Sequence, residues 1–140
     1  MKKLFNSVII LFLLGCKVQY TSPEMAFPRL EVSEGGGFTG AVSTYSVLTN
    51  GQVFHSNSFS GGFTVYGKVG KKDAVNWIKE VKKSIAIPTP VKEPDNIYRV
   101  FKVIEKDTTY EAVWYEKRSG LDSIYNKIIS KIESENAKYE

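Results

Sequence analysis

The hydrophobic period of this chain switches between two and 3.6, and those switches limit the folds it can reach. From Arg29 to Glu34 apolar and polar residues alternate, with Leu30 and Val32 on one side and Arg29, Glu31 and Ser33 on the other. That period is a half-buried strand. Ala41 to Leu48 is extended in the same way, with Tyr45 and Val47 on one face. Asn50-Gly51 is a hairpin signal because both residues tolerate positive φ, so Gln52 to Phe59 is the return strand. Gly61-Gly62 breaks it, and Phe63 to Tyr66 either continues the sheet or caps it. From Lys72 to Ile85 the period becomes 3.6. Ala74, Trp77, Ile78, Val81 and Ile85 share one side, and Lys72, Lys79 and Lys83 lie opposite, which predicts an amphipathic helix. Pro88, Pro90 and Pro94 forbid helix in the crossing that follows.

Asn96 to Glu105 and Thr109 to Glu116 are rich in β-branched and aromatic residues and flank a Lys106-Asp107 turn. Ser119, with Asp122 three residues on, approximates a capping box for a last helix. Its stripe is Leu121, Ile124, Tyr125, Ile128 and Ile132, and it frays into polar Glu133 to Glu140. Two helices with one apolar stripe each need a sheet face to cover. The expectation is a single α+β domain: an antiparallel sheet of about five strands with two helices packed on one face, in the order β-β-β-α-β-β-α.

The N-terminus has a different character. Lys2 and Lys3 precede the apolar run Val8 to Leu14, which is too short to span a bilayer at roughly 20 residues per helix. Leu13-Leu14-Gly15-Cys16 then resembles the lipobox of a bacterial lipoprotein signal peptide. The resemblance implies cleavage before Cys16, a diacylglycerol on its thiol, and an anchored rather than spanning protein. Residues 1–15 are therefore read as signal peptide, 16–28 as lipidated cysteine and flexible tether, and 29–140 as the domain. Cys16 is the only cysteine, so the domain folds without an internal disulfide. Lys17 stands where an inner-membrane retention signal carries aspartate, which favours the outer membrane, facing the periplasm.

The formal charge is +4, and removing Lys2 and Lys3 with the signal leaves +2. That is no argument for nucleic acid. The 125 residues from Cys16 onward are enough for one real core. Lys68, Lys71, Lys72, Lys79, Lys82 and Lys83 form a basic run, read as a solvated helix face, with contact to anionic headgroups as the alternative.

Gly35, Gly37 and Gly40 spell G-x-G-x-x-G after a strand. A dinucleotide site also needs the motif to open a helix, and here a β-patterned segment follows, so no nucleotide is expected. Gly35, Gly36, Gly37, Phe38, Thr39 and Gly40 are read instead as a sharp turn and candidate binding loop. A second glycine-rich stretch, Gly61 to Gly70, could join it. His55 is the only histidine, so any Ser-His-Asp relay must use it; it is read as a surface strand residue. One histidine and no further thiol leave no zinc set, and no cofactor is expected. Glu105, Asp107, Glu111 and Glu116 are read as surface charge.

The stretch Leu30-Glu31-Val32-Ser33-Glu34-Gly35-Gly36-Gly37-Phe38-Thr39-Gly40 resembles the opening of emfourin-like proteins, a strand running into a Gly-Gly-Phe-small-Gly turn. The order that follows is similar too: a helix over Lys72 to Ile85, a hairpin starting near Asp95 and Tyr98, and a closing helix over Leu121 to Ile132. Val53 to Val69 departs from that pattern in being longer and richer in glycine. The resemblance implies an α+β fold and inhibition of thermolysin-like metallopeptidases. The expected protein is thus a non-enzymatic, lipid-anchored binding module of the cell envelope, with a peptidase as a possible partner.

Overall fold

The computed structural model describes residues 18–86, 96–115 and 119–137. Cys16 and the Pro-rich crossing lie outside them, as does Glu116. The chain forms β1 (Arg29–Gly36), β2 (Ala41–Leu48), β3 (Gln52–Asn57), β4 (Phe63–Lys68), α1 (Lys71–Ile85), β5 (Ile97–Ile104), β6 (Thr109–Tyr115) and α2 (Ser119–Asn136). The six strands make one sheet in the order β4-β3-β2-β1-β5-β6, antiparallel at every pairing. The α+β architecture is the expected one, in the order ββββαββα. The added strand is β4, the segment whose sequence left open whether it continues or caps the sheet. It is an edge strand, exposed along most of its length, so it carries little burial pattern of its own. A register shift between Val53 and Phe54 disturbs the alternation further.

Register explains the core. Leu30 pairs with Val47 and Val103, and Val32 pairs with Tyr45 and Phe101, so one face collects the large apolar side chains. Ala74, Trp77, Ile78 and Val81 of α1, and Leu121, Tyr125, Ile128 and Ile132 of α2, close over that face. These are the stripes read from the sequence. Phe101, Trp114 and Tyr125 meet there, with ring centroids 4.9 to 6.3 Å apart. Fully burying one such side chain contributes about 1.5–3 kcal/mol, so the helices are held by their stripes rather than by helix propensity.

Two differences from the sequence reading have local causes. α2 continues to Asn136 instead of fraying after Ile132. Asn136 is a buried polar cap: its Nδ2 donates to the Ile132 carbonyl (2.7 Å), and its Oδ1 accepts from the Lys68 amide (3.1 Å). Gly67 leaves room for it, because a Cβ there would overlap the Asn136 side chain. Asp122, expected as the capping-box partner of Ser119, accepts from Trp114 Nε1 (3.0 Å) and Arg99 (2.6 Å).

The second difference is the tether. The described part of it, 18–28, is held against the other face of the sheet rather than free. Gln52, itself buried, clamps Tyr20: its Oε1 accepts from the Tyr20 amide (2.7 Å) and its Nε2 donates to the Tyr20 carbonyl (3.0 Å). Asn50 Nδ2 donates to the Val18 carbonyl (2.9 Å). Ala26 packs on Leu48 and Phe54, with Tyr20 alongside.

Candidate functional site at the loop end of the sheet

Strand direction decides which turns meet. β1 leads into the Gly37–Gly40 turn and β3 leads into the Ser58–Gly62 loop, and both strands run the same way. The two turns therefore share one end of the sheet. The β2–β3 turn, with Asn50 and Gly51, lies at the opposite end beside Val18.

The second loop is tied to the start of β2, just past the first loop. The Ser58 amide donates to the Val42 carbonyl (2.9 Å), and the Val42 amide donates to Ser58 Oγ (3.0 Å). Each loop is also braced internally. Asn57 Oδ1 accepts from the Phe59 amide (3.0 Å), and the Asn57 carbonyl accepts from the Ser60 amide and hydroxyl (3.1 Å each). The Gly40 amide donates to the Gly37 carbonyl (3.3 Å). Gly36 brings the first loop against the start of β5: at φ 106° its backbone lies where a Cβ would overlap the Asn96 carbonyl, which accepts from the Gly37 amide at 2.7 Å.

What these braces present is apolar. Phe38 is completely exposed and Phe59 is 70 % exposed. Ile97, opposite Gly36, is 52 % exposed at the same end. Neither turn, Gly37 to Gly40 or Ser58 to Gly62, contains a charged residue. Single exposed apolar residues are ordinary, whereas three on adjacent segments of one end form a patch of the kind that marks an interaction surface.

Beneath the patch, on the helix face, Arg99 bridges Glu34 (2.8 Å) and Asp122 (2.6 Å) and lies 4.4 Å from the Tyr125 ring centroid. Burial, reinforced by the nearby Glu34 carboxylate, pushes the Tyr125 phenol up to about 12. This network ties β1, β5 and α2 together and fixes the frame that carries the first loop.

The other sequence-derived candidates sit elsewhere. His55 Nε2 lies 2.8 Å from Ser43 Oγ, packed among Tyr45 and Tyr66 with ring centroids 4.9 and 6.0 Å away. Burial lowers the His55 pKa. A serine–histidine pair is half of a hydrolytic relay. Among the described residues no carboxylate is hydrogen-bonded to this ring. A hollow of about 390 Å³ lies on the sheet's other face, lined by Ser33, Thr44, Tyr98, Val100, Lys102 and Tyr115 among others. Glu105 pairs with Lys82 (2.6 Å) and Glu111 with Lys102 (3.5 Å). No cluster of three or more metal-ligating side chains occurs among the described residues, and no described helix is long and apolar enough to cross a membrane.

The sequence marks both loops but misplaces their edges: Gly35 and Gly36 of the first belong to β1, and the second begins at Ser58 rather than at Gly61. The apolar pattern puts Phe59 in the return strand, but β3 stops at Asn57, whose side chain turns the backbone. The signal was present in Asn57-Ser58 ahead of Gly61-Gly62, masked by the aromatic residues that favour strand. Within the Gly61 to Gly70 stretch, Gly67 lies in β4 and Gly70 precedes α1 at the far end, so only Gly61 and Gly62 belong to the loop end. Against known protein families, curated proteins and solved structures, the chain finds no match.

Proposed function

We propose that this chain is a lipid-anchored lipoprotein of the cell envelope, acting as a non-enzymatic binding module at the periplasmic face of the outer membrane. Its binding surface is the loop end, with Phe38 and Phe59 as anchors. The observation that carries this reading is the pairing of the two braced, charge-free loops at the end of the sheet opposite Val18. Anchors held on a braced backbone lose little entropy on binding. A photoreactive residue replacing Phe38 in cells is expected to give a discrete adduct, absent when the same residue replaces Thr49 at the other end. Equal labelling from both positions sinks this assignment.

The second reading is inhibition of a thermolysin-like metallopeptidase, as the emfourin-like stretch implies. It is favoured by one observation: after Gly36 ends β1, Gly37-Phe38-Thr39-Gly40 forms a turn with Phe38 wholly in solvent, suited to filling an apolar subsite. The mature chain would be titrated against thermolysin-like enzymes. Inhibition that weakens at least about thirtyfold on Phe38→Ala supports it, that being the roughly 2 kcal/mol of an anchoring residue. No inhibition at micromolar concentration removes it.

A further inference from the structure

The opposite end of the molecule has its own chemistry. Val18 is pinned by Asn50 at the β2–β3 turn, and Gly51 of that turn accepts from the Val69 amide (2.8 Å). Val69 lies between Lys68, the last residue of β4, and Lys71, the first of α1. Lys68, Lys71 and Lys72 are all exposed. At the same end, Val18 is 62 % exposed and Phe27 is 47 % exposed, just before the strand that starts there. The acidic groups at this end are Glu24 of the N-terminal segment, Asp73, Asp107, Glu105, which is paired with Lys82, and, in the last turn of α2 next to Lys68, Glu133 and Glu135, the latter paired with Lys131.

Chain length fixes how close this surface lies to any anchor. Cys16 is two residues before Val18, and two extended residues reach about 7 Å. A lipid on Cys16 would therefore hold Val18, and with it the Asn50 end of the sheet, close to the bilayer surface. Cationic and apolar side chains at one end suit an anionic headgroup layer.

We propose that the tethered end of the sheet, with Lys68, Lys71, Lys72, Val18 and Phe27, is a docking surface for a bilayer containing anionic phospholipid. The proposal rests on the lipid-anchor reading for its setting, and it sets the orientation of the protein: the loop end faces away from the membrane. The eight-residue strands put Phe38 about 25 Å from the docked end.

The test does not require that cells acylate the protein. The mature chain has one thiol, so Cys16 is coupled to a maleimide lipid in nanodiscs carrying gadolinium-chelate headgroups, and amide line broadening is read by NMR. In discs with phosphatidylglycerol, broadening is expected at Val18, Phe27, Asn50, Lys68, Lys71 and Lys72, with Phe38, Thr39 and Phe59 spared. Docked occupancy should fall roughly fivefold per lysine removed, so Lys68→Gln, Lys71→Gln and Lys72→Gln together should reduce the pattern to that of purely zwitterionic discs. Broadening of Phe38 and Phe59 equal to that of Lys72 overturns the orientation. A pattern indifferent to lipid charge and to the triple variant overturns the lysine contact. Failure of acyl labelling in cells would instead sink the anchor reading and leave this result standing.

Discussion

Both ends of the sheet are built from tight hairpin turns, yet they carry opposite chemistry. The loop end is apolar, charge-free in its turns, and braced by backbone and side-chain hydrogen bonds that leave Phe38 and Phe59 in solvent. The tethered end is lysine-rich, and its hydrogen bonds run to the N-terminal segment instead. An antiparallel sheet makes such a division available, because successive turns alternate between its two ends. The contrast teaches that one end is organised to present side chains and the other to hold the chain.

The comparison breaks most completely at Cys16. Cys16→Ser should move the protein from membrane to soluble fraction and abolish acyl labelling, because each buried methylene contributes about 0.8 kcal/mol of anchoring. Retention and labelling in that variant would remove the tethered end's meaning. Next in size is the loop end. Phe38→Ala with Phe59→Ala should cost partner binding about 2 kcal/mol per anchor while leaving unfolding stability within about 0.5 kcal/mol, since neither ring is buried. Urea melts alongside photo-crosslinking yield separate these two effects. A large stability loss would mean that the rings pack in the fold rather than serve a partner.

A smaller effect tests the clamp. Gln52→Ala leaves the Tyr20 amide and carbonyl without their partners and should cost about 1–3 kcal/mol. Hydrogen exchange should rise at Tyr20 and its neighbours and stay unchanged at Phe59. Exchange that rises at both ends would show that the two are coupled through the sheet.

Which parts were legible in the sequence follows from where their information lies. α1 was readable because Ala74, Trp77, Ile78 and Val81 repeat with a local period that burial enforces. The first loop was readable because its glycines mark the turn without reference to anything distant. β4 was ambiguous because an exposed edge strand has no burial to impose alternation. The Tyr20–Gln52 clamp and the Asn136–Lys68 cap join residues far apart in the chain, and nothing in the local pattern of either announces them. The pairing of the two loops was hidden for the same reason. It depends on β2–β3 register, which becomes visible only once Ser43 is set opposite Asn57.

The smallest expected effect lies between the ends, at His55. Burial lowers its pKa in the folded state, so the unfolded chain binds the proton more readily. Stability is therefore fully present above the unfolded value of about 6.5 and is lost progressively as pH falls from there through the folded value. His55 is the only histidine, and exposed carboxylates titrate mainly below about 5, so the interval just under 6.5 isolates it. Urea midpoints measured across that interval should decline on acidification, modestly because the ring is only half-buried. His55→Gln should flatten the decline. A slope that survives the substitution would assign the acid sensitivity to another group and leave the Ser43–His55 contact as packing between β2 and β3.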